Sequence, residues 1–382
     1  MDRIIGQTRA VGTLASQVAA GRVHHAQIFH GPPGIGKFTT AVEFAALLLC
    51  HDPVSDLHGN RSACGTCKSC RLLQTLRGGG DAKAAEDDPT SHLASAHPDL
   101  HVVTKELALF DDDAATRARK LTTIPVGVIR EHLLGPAGLA ATLGHGKVFI
   151  VDEAELLAGA GQNAMLKTLE EPPAGTHIIL VTASEDRLLP TIRSRCQRVP
   201  FMPLTDEQVG AWLTRQAGGL DEKSRKWVIG FAQGSIGRAA LAAKYGLVEW
   251  GTAVLAPVQQ MLRSGRPAAQ LGGAIAERVD GFAKAWVGDH KNASKEAANR
   301  MAAGLMGSMI SNYARRKLSE SAAGCDPDTP GTSEMMLAPW LAVIEAVDEF
   351  ERQLRANVNL TLCCEGLGAR INATLMGVAA VR

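Results

Sequence analysis

The chain has 382 residues, and its 40 Lys and Arg against 39 Asp and Glu leave a net charge of +1 at pH 7. Such a length exceeds what one hydrophobic core usually holds, so several domains are expected. The balanced charge excludes a generally basic nucleic-acid binder and leaves only local contacts open. No apolar run reaches the roughly 20 residues of a membrane span, and the start MDRIIGQ lacks the hydrophobic stretch of a secretory leader, which points to the cytoplasm.

The first apolar segment, HAQIF, reads as a strand and the segment FTTAVEFAALLLC as a helix, with GPPGIGK between them. Strand, glycine-rich turn and helix is the context a phosphate-binding loop requires. Gly31, Gly34 and Gly36 let main-chain N–H groups face phosphate oxygens, Lys37 can reach the terminal phosphates, and the helix start presents its positive dipole end. The position after the lysine normally supplies a Ser or Thr hydroxyl to Mg²⁺, but here it is Phe38, which has no ligand atom. Thr39 and Thr40 follow, each rotated by roughly 100° along the helix, so neither replaces that hydroxyl naturally. The site is expected to accept ATP or ADP with Mg²⁺ poorly coordinated.

Cys50, Cys64, Cys67 and Cys70 follow as C-x13-C-x2-C-x2-C. Four sulfurs at this spacing fit a closed, tetrahedral Zn²⁺ site, with redox or iron–sulfur chemistry as the alternative. The remaining cysteines, Cys196, Cys325, Cys363 and Cys364, show no ligand pattern, and Cys363 and Cys364 are expected to face a helix core. Leu76 to His92 is polar and glycine-rich and reads as a mobile insertion. His24, His25, His92, His97 and His101 lack metal spacing and are expected at the surface or in connectors.

The next strands are DLHVV, KVFIV and HIILV. KVFIVDEAELL ends in an acidic pair: Asp152 is the candidate metal ligand and Glu153 the candidate for polarising an attacking water. The plainer reading is a strand running into a helix start, where acidic residues are also favoured. Thr182 or Ser184, at the end of THIILVTAS, could sense a terminal phosphate, although Thr is a common strand residue. LLPTIRSRCQRVPF then crowds Arg193, Arg195 and Arg198 between two prolines, and an arginine at a domain edge can stabilise phosphate charge in a neighbour's site. A solvated basic loop is the simpler account of Arg198. Beyond Met202, TDEQVGAWL carries an N-cap candidate at Thr205, and GSIGRAALAA opens another helix with Arg238 near its start. From about Gly246 the chain is alanine-rich and helical, with a loop expected at Ser321 to Ser333.

On IIGQ (Ile4 to Gln7), HHAQIFHGPPGIGK, the cysteine cluster, VDEAE, TLEEPP (Thr168 to Pro173) and SRC (Ser194 to Cys196), the chain resembles bacterial DNA polymerase III clamp-loader subunits of the AAA+ class, closest to the delta prime type. The gamma/tau motor is the runner-up. The resemblance is specific over the first 245 residues and looser beyond, where RANVNLTLCCEGL resembles a last collar helix. It implies an α/β P-loop (AAA+) domain with a parallel sheet over 1–202 and a zinc module at 50–70. A helical lid over 203–245 and an all-α collar over 246–382 would follow. It makes Arg195 of SRC a finger offered in trans, and Arg238 of GSIGRAA a second phosphate sensor. It also implies a hetero-oligomeric ring with gamma/tau and delta subunits, acting on a sliding clamp and primed DNA. Phe38 favours delta prime over the motor, and so do a start almost directly at IIGQ and an end without a long tail. Two other readings stay open: an ATPase rescued by Thr39 or water, and a zinc-dependent nucleic-acid binder on a dead P-loop.

Overall fold

A computed structural model describes residues 4–56, 59, 61–74, 76–77, 96–110, 122–216, 219–290, 294–323, 330–356 and 358–379. Two compact units emerge, Met1–Gly218 with Ala232–Ala239, and Gly219–Phe231 with Ala240–Arg382. The division falls inside the 203–245 segment that the sequence set aside as a lid.

The first unit is built on β1 (Ala26–His30), β4 (Leu100–Val103), β5 (Lys147–Val151), β6 (Thr176–Thr182) and β7 (Gln197–Pro200). They form one sheet in the order β4-β5-β6-β1-β7, with every neighbouring pair parallel. All five residues of β5 are buried, as a parallel strand covered on both faces requires. A separate antiparallel pair, β2 (Val54–Ser55) with β3 (Arg61–Ser62), lies in the cysteine segment. Because the five strands are parallel, their carboxyl ends share one edge, and the turns after β1, β5 and β6 converge there.

Gln7 fastens that edge. Its Nε2 donates to the carbonyls of Ile35 at 3.1 Å and Met202 at 2.8 Å, while its Oε1 accepts from Met202 N at 3.2 Å. The side chain is buried, and so ties the N-terminal segment to the glycine loop and to the exit of β7. Thr205 opens the helix Asp206–Gln216 with a reciprocal capping box. Gln208 N donates to Thr205 Oγ1 at 3.3 Å, and Thr205 N donates to Gln208 Oε1 at 3.0 Å. The return segment Ala232–Ala239 rests on the glycine loop: Ser235 Oγ donates to Pro33 O at 3.0 Å and Gly237 N to Gly34 O at 2.8 Å. Gly34 has φ +72, and a Cβ there would meet Ser235 Oγ at 2.5 Å, so the contact requires glycine.

The helix after the glycine loop, α2 (Lys37–Leu48), is almost wholly buried, including Glu43. A buried carboxylate needs a partner. Arg77, beyond the last cysteine, provides it in bidentate form, Nε to Oε1 at 2.9 Å and Nη2 to Oε2 at 2.7 Å. The expected insertion lies outside the described residues from 78 to 92, with His92 among them.

Two expectations need correction. His97 lies in the connector before β4, as expected, but is buried at 2% exposed, and Nε2 bonds to the buried Ser69 Oγ at 2.8 Å. Its Nδ1 accepts from Asp99 N at 3.1 Å, so the proton must sit on Nε2 and point at Ser69. His101 is neither at the surface nor in a connector: it lies within β4, half-buried and stacked on Phe149 at 4.8 Å. The loop expected at Ser321 to Ser333 is shorter at both ends, since helices run over Lys295–Ala323 and Pro330–Arg355. Residues 324–329, including Cys325, lie outside the described residues.

In the second unit, Leu271–Asp289, Lys295–Ala323, Pro330–Arg355 and Leu360–Ala379 pack each on the next, and the last returns to the first. Cys363 and Cys364 are buried free thiols in that packing.

Replacing Arg77 by Met is expected to destabilise the chain by about 3 kcal/mol or more, because Glu43 is left charged and buried. Glu43→Gln with Arg77→Met should recover most of the loss. Urea denaturation of the single and double variants measures both.

Candidate functional site

The glycine loop leaves β1 with Gly31, Gly34 and Gly36 at φ +140, +72 and +96. These values turn successive N–H groups toward the carboxyl edge, and α2 begins at Lys37. Lys37 folds back, and its Nζ donates to Gly31 O at 2.7 Å and Pro32 O at 2.6 Å. Burial pulls its ammonium below the ordinary lysine range, opposed by the carboxylates of Glu155 and Asp152.

A cavity of about 560 Å³ opens over the loop, lined by Gly34, Gly36, Lys37, Phe38 and Thr39 on one side and by Asp152, Glu153 and Thr182 on another. Such a volume suits a small organic ligand. Phe38 and Thr39 also line an adjoining cavity of about 360 Å³. Phe38 is half-buried and presents carbon where a hydroxyl would serve a metal. Thr40 offers no substitute, because its buried Oγ1 donates to Gly36 O at 2.8 Å. Thr182 Oγ1 accepts from Ser184 N at 3.1 Å, which orients it at the end of β6.

The acidic pair is asymmetric. Asp152 is half-buried, and desolvation pushes its carboxyl up to about 6, with Glu153 and Glu155 adding repulsion against the Glu153 N–H and Lys37. Glu153 adopts φ +47, and its Oε2 accepts from Lys105 Nζ at 2.5 Å. Lys105 is pulled down by burial but raised overall by Glu153. Neither Lys105 nor Gln7 was legible as a site residue, nor were Glu155, Ile4, Ile5 and Trp212, which line the cleft.

The structure does not bring every candidate together. Arg238 Nη1 donates to Gln233 Oε1 at 3.2 Å, and it is Ile236 and Gly237 beside it that line the cleft. Gly31 lies behind the cavity wall, and φ +140 there lets the chain pass under Phe201 O, which a Cβ would meet at 2.3 Å. Arg195 precedes β7, at the amino edge of the sheet opposite the cleft. Its Nε donates to Glu170 Oε1 at 2.7 Å and its Nη1 to Thr191 O at 2.9 Å. Arg198 is paired with Glu185, while Arg193 Nε has no partner.

The four cysteine sulfurs lie within 4.8 Å of one another. The separations Cys50–Cys70, Cys64–Cys70 and Cys50–Cys67 are 3.6, 3.9 and 4.0 Å. A tetrahedron with Zn–S bonds of about 2.3 Å has edges of roughly 3.8 Å, so the sulfur set fits a zinc ion. Main-chain N–H groups already face the sulfurs: Cys64 N to Cys50 Sγ at 3.3 Å, Cys67 N to Cys64 Sγ at 3.3 Å and Cys70 N to Cys67 Sγ at 3.4 Å. Those from Cys67 and Thr66 hold the Cys64 thiol down at about 6. Burial raises Cys67, but the N–H groups of Cys70 and His51 outweigh it, and burial raises Cys50 and Cys70. These donors stabilise thiolates, the form that binds metal.

A parallel sheet carrying a glycine loop and an acidic strand end at one edge defines the P-loop class of α/β domain. The family described as "DNA polymerase III, delta subunit" matches residues 6–205, just over half of the chain, and the chain belongs to it. DNA polymerase III subunit delta' of Escherichia coli K12 is 33% identical over 203 residues, 53% of this chain and 50% of that one. DNA polymerase III subunit gamma/tau of Mycobacterium tuberculosis H37Rv is 32% identical over 213 residues, 56% of this chain and 30% of that one. The chain thus spans half or less of the length of these curated relatives. A solved gamma subunit-related protein from Thermotoga maritima aligns over 96% of this chain and 99% of its own, at 17% identity and a TM-score of 0.40. Among the described residues no helix is long and apolar enough to cross a membrane.

Two outcomes are expected. Asp152 has a folded-state value near 6 against an ordinary 3.8, so the folded state binds the extra proton and stability falls as pH rises from about 4 to 6. Asp152→Asn should therefore stabilise the chain above pH 6 by up to ~3 kcal/mol and by nothing near pH 3.5, read from urea midpoints. The purified chain should carry about one zinc per molecule by mass spectrometry. Cys64→Ser/Cys67→Ser should lose the metal and lower Tm.

Proposed function

We propose that this chain is a delta prime-like subunit of a DNA polymerase III clamp loader that binds nucleotide weakly and is impaired in hydrolysing it. The observation that carries this reading is Phe38: the cleft has its glycine loop, lysine and aspartate, but carbon stands where the metal-binding hydroxyl belongs. The main chain after β1 and Lys37 would hold the phosphates, Asp152 the metal, Thr182 the terminal phosphate end, and Arg238 the approach from the helical side. Cys50, Cys64, Cys67 and Cys70 would hold structural zinc, stiffening the segment that delivers Arg77 to Glu43.

Arg195 supports a role toward a neighbour. It lies at the sheet edge opposite its own cleft, partly exposed and held by Glu170, so its guanidinium cannot serve its own loop but can reach an adjacent subunit. That neighbour would be a gamma/tau-type ATPase, with a delta subunit completing the ring and a sliding clamp on primed DNA as its object. The helical second unit would supply the collar. A motor of the gamma/tau type is the second reading, favoured by Lys37 and Asp152 still standing together in one cleft.

The test is the ATPase of the reconstituted complex. Arg195→Ala in this chain should slow hydrolysis at the adjacent site by about 10³-fold or more, with assembly unchanged by gel filtration. Lys37→Ala should leave that rate intact. A collapse with Lys37→Ala and none with Arg195→Ala would make this chain a motor.

A further inference from the structure

The phosphate-loop helix α2 is held at two points beyond Lys37. Its last turn runs into the buried Cys50, whose N donates to Leu47 O at 3.3 Å. Midway along, the buried Glu43 takes the bidentate bond from Arg77. Both points lead to the cysteine module. The path from Cys70 to Arg77 is short: Leu73 N donates to Cys70 O at 3.3 Å and Arg77 N to Leu73 O at 3.1 Å, with Leu73 fully buried between them. Glu43 keeps the Arg77 guanidinium charged against the effect of burial, and the Cys70 and Cys50 sulfurs act on it in the same direction as Glu43. Arg77 thus lies within electrostatic reach of two of the four sulfurs that fit zinc, a set with a net charge of about −2 once four thiolates surround the ion. Glu43 and Arg77 also line the cavity of about 360 Å³ together with Phe38 and Thr39, which they share with the main cleft.

We propose that Arg77 is a positioning residue through which the cysteine module sets the order of the phosphate-loop helix, so that zinc and nucleotide reinforce each other's binding across α2. The inference rests on the reading of the cleft as a nucleotide site. With the four sulfurs held together, Cys70 and Leu73 fix the main chain that carries Arg77, and α2 is clamped at Cys50 and at Glu43. With the sulfurs released, little local structure remains to do this: the helix Lys68–Leu72 has five residues and β2 and β3 have two each, too few to stand alone. Arg77 then parts from Glu43, and a carboxylate 4% exposed is left without its partner. The helix relieves this by admitting water along that face, and Lys37 and the loop N–H groups at its start lose their fixed aim. Linkage requires the converse: zinc raises the affinity for nucleotide by the factor by which nucleotide raises the affinity for zinc.

The test compares the wild-type chain with Glu43→Gln/Arg77→Met, which removes both charges together. Each is measured zinc-loaded and after zinc is stripped with p-hydroxymercuribenzoate and the thiols are restored with dithiothreitol. Amide hydrogen exchange reads the order of α2, with β5 as the internal control, and calorimetry reads the affinity for a slowly hydrolysed ATP analogue. Stripping the wild type should speed exchange over Lys37–Leu48 while β5 stays protected, and should weaken nucleotide binding by about 10-fold or more, a usual size for coupled sites. The double variant should show neither response to zinc. Saturating nucleotide should likewise protect zinc from a competing chelator in the wild type and not in the double variant. The inference is overturned if the stripped wild type keeps its α2 protection and its affinity. It is also overturned if the double variant responds as the wild type does, which would put the coupling at Cys50 alone, or if β5 loses protection together with α2, which would make the module a general support of the fold. Absence of nucleotide binding in every form, zinc-loaded wild type included, would instead overturn the nucleotide reading, and the exchange of α2 would still decide the role of Arg77.

Discussion

Everything at the carboxyl edge is arranged around one partly desolvated ammonium, Lys37 Nζ. Removed from water, it must find oxygen, and it takes the carbonyls of Gly31 and Pro32 in its own loop. Of the two nearby carboxylates, Asp152 faces the same requirement from the opposite sign, and both oppose the loss of charge at Lys37. The glycine loop and the end of β5 thereby face each other across the cleft, while the return segment at Ser235 to Gly237 is held separately by the carbonyls of Pro33 and Gly34. A bound phosphate would replace these internal partners with its own oxygens, so a charge held at some cost in the empty cleft becomes a binding device.

The parallel sheet adds a second constraint, that the two edges cannot be exchanged. The cleft is made of carboxyl ends, and Arg195 belongs to an amino end. One chain can therefore carry its glycine-loop cleft on one edge and a guanidinium held by Glu170 on the other without the two meeting. That separation is the physical basis for the proposed place of the chain in a ring, where the second group would act across a subunit boundary.

How much of this was legible depended on whether the signal was local. The glycine loop, the capping residue Thr205, the cysteine spacing and the strand KVFIV are determined by neighbours within a few residues, and each stands where its pattern placed it. Gln7, Lys105 and Arg77 act over separations of 28 to 195 residues. Nothing in KELALF distinguishes a lysine bound to Glu153 from a solvated one, because the parallel register that joins β4 to β5 is not written in either segment. The burial of His97 was hidden for the same reason: its partner Ser69 lies 28 residues away, inside the cysteine module. The expected loop was too long at both ends, since the flanking helices reach Ala323 and begin at Pro330.

The central claim is that a cleft with its lysine and aspartate but without a hydroxyl at Phe38 holds nucleotide without coupling it to metal. The most direct measurement is a calorimetric titration of the wild-type chain with a slowly hydrolysed ATP analogue, once in EDTA and once with excess Mg²⁺. The account predicts measurable binding in both conditions with little difference between them. Binding that strengthens about 10-fold or more with Mg²⁺, equivalent to ~1.4 kcal/mol, would show a competent metal site and contradict it.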